Sequence, residues 1–380
     1  MAFTTIPGSA GAPDSFVGTA GVDAIAFTAS RTSYFLGAQG DNDVVAWVGT
    51  SSSPITVTDA TIKGGAGNDL FTATNTVFAS VFINGNAGDD IFEFWSGPSS
   101  GPTSFLGSTL QGGQGNDTFR MNTVSSSLIN GNKGDDEINL GAVSNSSIYG
   151  GQGDDTITLF SSVQNTLIDG GLGNDRIDGT DEKTEDIIGF TASGNDGDDT
   201  MLGSSAADIL NGDLGNDSIV GGAGNDTING GKGADTLTGG PGDNTFVLAT
   251  GDSFAATSGA GAAVTFSNGV DWITDFTTGT TESPVDSAVL NGTEIFFAEF
   301  GLARIVNGSY NIIISSANGV YGVLGDYSAA NNVFTMDSLA IPGEDYSGDI
   351  LVFASTAVAG SSVAVTSVEA AIVSVNELVG

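Results

Sequence analysis

Apolar side chains in this chain return at constant distances from glycine. Around Gly64, Gly85, Gly112, Gly131, Gly150 and Gly170, an apolar residue stands seven positions before each glycine: Val57, Phe78, Phe105, Val124, Val143 and Val163. A second stands two positions before (Ile62, Ile83, Leu110, Ile129, Ile148, Ile168), and a third seven positions after (Phe71, Phe92, Phe119, Ile138, Ile157, Ile177). Three apolar columns held at fixed offsets across many copies are what short parallel strands need if each coil is to bury its residues against the coils on either side. The pattern therefore predicts an all-β chain, a parallel β-solenoid. The reference glycines lie 19 to 27 residues apart, whereas from Gly194 the phrase returns every nine residues at Gly203 (the degenerate GSSAADILN), Gly212, Gly221, Gly230 and Gly239. About two nonapeptides fit one coil. Fainter copies, GTAGVDAIA from Gly18 and GAQGDNDVV from Gly37, extend it toward the N-terminus, with Ile25 and Val44 assigned to the column after the turn.

From about residue 248 the nonapeptide stops, and segments such as VTFSNGVDWITDF, YNIIISS and DILVFAS alternate apolar and hydroxyl residues as strands do. Three regions result: an N-terminal cap with degenerate repeats (1–63), the repeat region (64–247) and a β-rich C-terminal cap (248–380). A solenoid needs such ends, because a bare terminal coil presents an unpaired edge.

Composition changes the picture at the turns. The chain has 380 residues, 58 of them glycine, and its 45 Asp and Glu face only eight Lys and Arg for a net charge of -37. Internal ion pairs cannot offset that charge, and nucleic acid is excluded as a partner. With no Cys and no His, disulfides, a thiol nucleophile, the usual zinc sites and a histidine base are also excluded. In the repeated turn, glycine supplies left-handed backbone, and Asn or Asp at the fifth position is expected to do so as well. An aspartate at the sixth position stacks like charges from coil to coil, which is destabilising unless a cation lies between them. Calcium suits a loop of carboxylates and main-chain carbonyls, since it takes six to eight hard oxygen ligands in loose geometry.

The phrases GGAGNDLFT, GGQGNDTFR, GGQGDDTIT and GGLGNDRID resemble the GGxGxDxUx nonapeptide of the RTX (repeats-in-toxin) family, where U is a large apolar residue. The resemblance implies a right-handed parallel β-roll with calcium between neighbouring turns. It also implies an extracellular or cell-surface location, reached by type I export that reads an uncleaved C-terminal signal. Carried over by position, the carboxylate ligands are Asp69, Asp90, Asp117, Asp136, Asp155, Asp175, Asp199, Asp208, Asp217, Asp226 and Asp235, with Asp243 substituting in GGPGDNTFV, where Asn244 takes the sixth place. The glycines of the same loops are Gly65, Gly67, Gly113, Gly115, Gly151, Gly153, Gly171, Gly173, Gly222, Gly224, Gly231 and Gly233. About ten calcium ions follow, on one edge of the roll in residues 71–170 and on two edges in 194–247. NGVDWITDFTTG resembles the segment that closes RTX rolls and adds Asp271 and Asp275 as further ligands.

Other motifs are weaker. GKG at 231–233 lacks the rest of a phosphate loop, and acid pairs such as Asp135-Asp136 are positions five and six of a repeat rather than glycosidase carboxylates. The Trp and Tyr residues are too scattered for a stacking platform and are assigned to core and cap. Residues 1–17 lack the features of a secretory signal, and no run of about eighteen apolar residues marks a membrane span. Repeats that begin so early leave no room for a preceding catalytic domain, so an enzyme is not expected. Two readings stay open: a structural building block that self-associates into an extracellular layer, sheath or filament, which is favoured, and a non-catalytic adhesin whose roll or cap meets a ligand such as a cell-surface polysaccharide.

Overall fold

The computed structural model describes residues 41–248 apart from 51, 96–102, 181–188; before 41 and after 248 it describes mainly strand segments, and for those after 248 the backbone alone, Ile273 excepted. All regular structure among the described residues is β. The chain forms two compact units, Met1–Asn195 and Asp196–Gly380. Their boundary falls where the repeat spacing contracts to two contiguous nonapeptides per coil.

In the first unit two parallel sheets run side by side. One stacks Thr61–Ala66, Phe82–Ala87, Thr109–Gln114, Leu128–Lys133, Ser147–Gln152 and Leu167–Leu172 in chain order. The other contains Leu70–Thr74, Ile91–Phe94, Thr118–Ser125, Glu137–Ser144, Thr156–Leu159 and Arg176–Asp178. The register is that of the sequence columns: Ile83 pairs Ile62 and Leu110, Phe92 pairs Phe71 and Phe119, and Phe78 pairs Val57 and Phe105. All three columns are buried to within 2%. Fully burying each such side chain contributes about 1.5–3 kcal/mol. Aromatic members also stack, with Phe92 and Phe119 ring centroids 4.3 Å apart at 8° and Phe78 and Phe105 4.6 Å apart at 6°. A fourth buried column, Ala73, Phe94, Met121, Leu140 and Leu159, adds to them.

One early coil departs from the expected register by one residue. Val45, not Val44, pairs with Phe71 and is buried, because Gly37 pairs with Lys63 rather than with the reference glycine Gly64, which sets this coil one residue later; Ile25 pairs with Val45 as expected for its column. At the N-terminal end Thr4–Ile6 pairs antiparallel with Asp14–Val17, which joins the first sheet through Tyr34–Gly37. Trp47 is in the core as expected, whereas Trp95 is 44% exposed, which corrects its assignment.

In the second unit the same two-sheet coil recurs with an 18-residue repeat: Met201, Ile219 and Leu237 form one buried column and Leu210, Ile228 and Phe246 the other. Asp271–Phe276 continues the first of these sheets by pairing with Thr236–Thr238, and Ser287–Leu290 continues the second by pairing with Thr245–Leu248. Beyond them the strands turn antiparallel, with Tyr346–Ala354 between Val320–Ser328 and Ala370–Leu378. Ala370–Leu378, from the end of the chain, lies against Asp271–Phe276.

Candidate metal centre

Each GGxGxD turn is built around its sixth residue. The second and fourth positions are left-handed, as at Gly151 (φ 124°) and Gly153 (φ 127°). Where the second glycine is missing, Asn86, Asn132, Asn195 and Asp213 take its place at φ 75–78°. Tolerance of left-handed backbone therefore resides at position two, not at position five as the sequence suggested. The first glycine has a different task. A Cβ on Gly131 would run into Asp136 Oδ2 and lie 2.6 Å from Gly150 O, and Gly64, Gly85, Gly112, Gly150 and Gly212 repeat the arrangement. The aspartate side chain folds back over its own first residue, and only glycine leaves space for it.

The sixth-position aspartates form a ladder. The backbone N–H of Asp69 donates to Asp90 Oδ1 at 2.8 Å, Asp90 to Asp117 at 2.7 Å, Asp117 to Asp136 at 2.7 Å, Asp136 to Asp155 at 2.7 Å and Asp155 to Asp175 at 2.8 Å. Asp43 starts it by donating to Asp69 Oδ1 at 2.7 Å, a member hidden from the sequence because its coil is set one residue later than Gly37 suggests. The second oxygen differs. Oδ2 of Asp69, Asp90, Asp117, Asp136, Asp155, Asp217 and Asp226 is buried and accepts no hydrogen bond from the protein. Neighbouring strands are about 4.8 Å apart, so adjacent ionised carboxylates at that spacing would repel by about 3.5 kcal/mol at an effective dielectric of 20. Burial, offset by the backbone hydrogen bond and reinforced by neighbouring aspartates, raises Asp69, Asp90, Asp136 and Asp155 to about 7. The same causes raise Asp117 and Asp217 to about 8 and Asp226 to about 6. Each ladder therefore asks for positive charge.

Two exceptional turns show what the second oxygen faces. At Asn244 the atom in that place is an amide nitrogen, which donates to Gly240 O at 3.0 Å and Gly242 O at 3.5 Å, while Oδ1 accepts from Asp226 N–H at 3.1 Å. Main-chain carbonyls of positions two and four thus converge where the other turns place a carboxylate oxygen. In the degenerate turn, Asp208 Oδ2 accepts from Ser204 N–H at 2.7 Å and from the Ser204 hydroxyl at 2.9 Å. An anionic oxygen among carbonyl oxygens fits a hard divalent cation, and the absence of Cys and His leaves oxygen as the donor type. Among the described residues no three acidic side chains cluster into a site of their own, so carbonyls must complete the ligand set. Asp243 does not replace Asn244: it is an exposed fifth-position residue whose N–H donates to Asn225 Oδ1 at 3.0 Å, while Asn244 occupies the buried column.

The fifth position makes an exposed ladder of opposite sense. Asp89 N–H donates back to Asn68 Oδ1, Asn116 to Asp89, Asp135 to Asn116, Asp154 to Asp135 and Asn174 to Asp154, all at 2.8–3.0 Å.

The opposite edge of the first unit carries hydroxyls instead of carboxylates. Four residues before the reference glycine, Ser108 donates its N–H to Ser127 Oγ at 3.0 Å and Ser127 to Ser146 Oγ at 3.2 Å. Each hydroxyl donates in turn to a carbonyl two residues earlier, Ser127 to Ser125 O and Ser146 to Ser144 O at 2.8 Å, and Thr166 to Gln164 O at 3.1 Å. This ladder is neutral and satisfied within the protein. In the second unit the same column is again aspartate, so two carboxylate ladders run there: Asp199 to Asp217 to Asp235, and Asp208 to Asp226 to Asn244. The division between one acidic edge and two follows the expected residue ranges. The hydroxyl column was present in the sequence as Ser108, Ser127, Ser146 and Thr166, but Ala60 and Val81 in the same register obscured it. Asp271 and Asp275 lie in the strand Asp271–Phe276, and their side chains fall outside the described residues.

A family model for the RTX calcium-binding nonapeptide repeat matches residues 59–75, 80–98, 108–120, 143–159 and 165–181, and overlapping copies match 193–254. The turn at Gly131, GNKGDDEIN, lies outside these matches, yet Asp136 is a full member of the ladder. No curated protein gives a significant match to the chain. Nonapeptide matches on either side of Asp136 and an uninterrupted parallel ladder through it agree: this chain is an RTX β-roll protein carrying calcium-binding repeats.

Proposed function

We propose that this is a secreted, non-catalytic calcium-binding protein whose roll folds when calcium enters the carboxylate ladders outside the cell, and that the folded roll is a structural unit of an extracellular layer, sheath or filament. The column of buried, unpartnered Oδ2 atoms facing main-chain carbonyls carries the calcium-dependent part. Bound calcium supplies positive charge and coordination to those oxygens. The chain's own residues hold the aspartates in line through Oδ1 and keep the space above each first glycine clear. RTX repeat proteins are typically secreted, and no helix among the described residues is long and apolar enough to cross a membrane. In a low-calcium cytoplasm the unfilled ladders oppose coil formation, which keeps the chain exportable, and we assign the address read by the exporter to the C-terminal region. About ten ions, one between most adjacent acidic turns, would bring the net charge from -37 to about -17.

Coils that stack in parallel register on copies of themselves support the assembly reading. Negative-stain imaging of the purified protein in 10 mM calcium and then in chelator tests this part. Sheets or filaments that disperse on chelation are expected; monodisperse particles in both solutions would refute assembly while leaving calcium-dependent folding standing. The second reading, a surface-binding module, is favoured by an exposed aromatic cleft on the first unit.

A further inference from the structure

We infer that the outer face of the first unit carries a binding site for a neutral carbohydrate, built by Trp95, Phe160, Arg120, Glu137 and Asn139. The inference is independent of whether the roll assembles. These five side chains line a cleft of about 480 Å³, within the range of small-ligand sites. Trp95 and Phe160 follow the last residues of Ile91–Phe94 and Thr156–Leu159, strands separated in the sheet by two others. They are 44% and 46% exposed, with ring centroids 6.0 Å apart at 75°. Phe160 is held by its N–H, which donates to Leu140 O at 2.8 Å. Two large rings left in water at the mouth of a concavity form an apolar wall that the core does not use.

The floor beside the rings is polar and already fixed. Arg120 Nη1 lies 3.4 Å from Glu93 Oε2 and Nη2 lies 3.6 Å from Glu137 Oε2, and Asn139 Nδ2 donates to Glu137 Oε1 at 2.6 Å. Glu93, Arg120 and Asn139 are direct cross-strand partners, so the solenoid register sets this row. Planar guanidinium, carboxylate and amide groups in one row present both donors and acceptors next to rings that can cover the C–H face of a pyranose. Charge selects among glycans. Arg120 is flanked by two carboxylates, and the chain carries -37, so an anionic polysaccharide would meet net repulsion. A neutral sugar fits.

The test is affinity electrophoresis of the calcium-loaded full chain through gels containing xyloglucan, galactomannan, mixed-linkage β-glucan or dextran, with polygalacturonate and dextran sulfate as anionic comparisons. Retardation by at least one neutral polymer is expected. Trp95→Ala and Phe160→Ala should each weaken it at least tenfold, Trp95→Phe should retain part of it, and Leu106→Ala, at an exposed apolar residue elsewhere, should leave it unchanged. Circular dichroism in calcium confirms folding of each variant; if an alanine variant does not fold, Arg120→Leu takes its place. No retardation by any neutral polymer, retardation by the anionic ones alone, or wild-type mobility of Trp95→Ala would overturn the assignment.

Discussion

Asp155 lies in mid-ladder, and two substitutions there separate its two roles. Its Oδ1 accepts from Asp136 N–H at 2.7 Å, while Oδ2 is buried without a protein partner. Asp155→Asn keeps an acceptor for Asp136 and places an amide where Oδ2 was, the arrangement the chain already uses at Asn244. Asp155→Ala removes both. With extracellular-type sites of about 10⁻⁴–10⁻³ M, each ion in 10 mM calcium stabilises the fold by about 1.4–2.7 kcal/mol. Asp155→Asn should lose about that much in calcium, since its site no longer carries the charge. In chelator the order should invert, because the variant no longer buries a carboxylate that burial drives up to about 7 and its amide meets carbonyls directly. Asp155→Ala should lose a further ~1–3 kcal/mol in both solutions for the stranded Asp136 N–H. Urea unfolding followed by far-ultraviolet circular dichroism, in 10 mM calcium and in excess chelator, measures all four differences. Equal midpoints for wild type and Asp155→Asn in both solutions would refute the assignment of Oδ2 to the cation.

Four further outcomes follow from the same geometry. Burial raises Asp69, Asp90, Asp117, Asp136, Asp155, Asp217 and Asp226 of the ladders to about 6 to 8 from 3.8. Between these values the metal-free folded chain binds more protons, so its stability is greatest below 3.8 and is lost as pH rises through 6 to 8; circular dichroism in chelator should show β structure gained on acidification from pH 8 to pH 5, and a loss would contradict the burial argument. Protons and calcium compete for the same oxygens, so the calcium midpoint should rise as pH falls over that range. Gly131→Ala, whose Cβ would displace the Asp136 carboxylate, should raise the calcium midpoint several-fold, whereas Gly21→Ala, with open space at its Cβ, should not; equal shifts would show that the first glycine does not make room for the ligand. Ser127→Ala strands the Ser108 N–H and should cost about 1–3 kcal/mol equally with and without calcium, so a calcium-dependent effect in paired melts would tie the hydroxyl edge to metal after all.

The sequence by itself determined the solenoid, its buried columns and the position of its acidic turns, because a repeat stacked on copies of itself places equal offsets in equal environments. Ile129 and Asp136 are legible for the same reason: the coils on either side hold Leu110 and Ile148, Asp117 and Asp155 at the same offsets. Only the tertiary structure decided what depends on local deviations or on atoms within a side chain. It showed that Asp43 joins the ladder despite its shifted turn, that Ser204 and Asn244 satisfy their turns with protein hydrogen bonds, and that Oδ1 and Oδ2 of one aspartate have opposite surroundings. Trp95 and Phe160 belong to no repeat column, so periodicity is silent about them. They meet because the strands that carry them lie three spacings, about 14 Å, apart in the sheet, within reach of two long side chains over one surface, a distance that sequence separation does not encode.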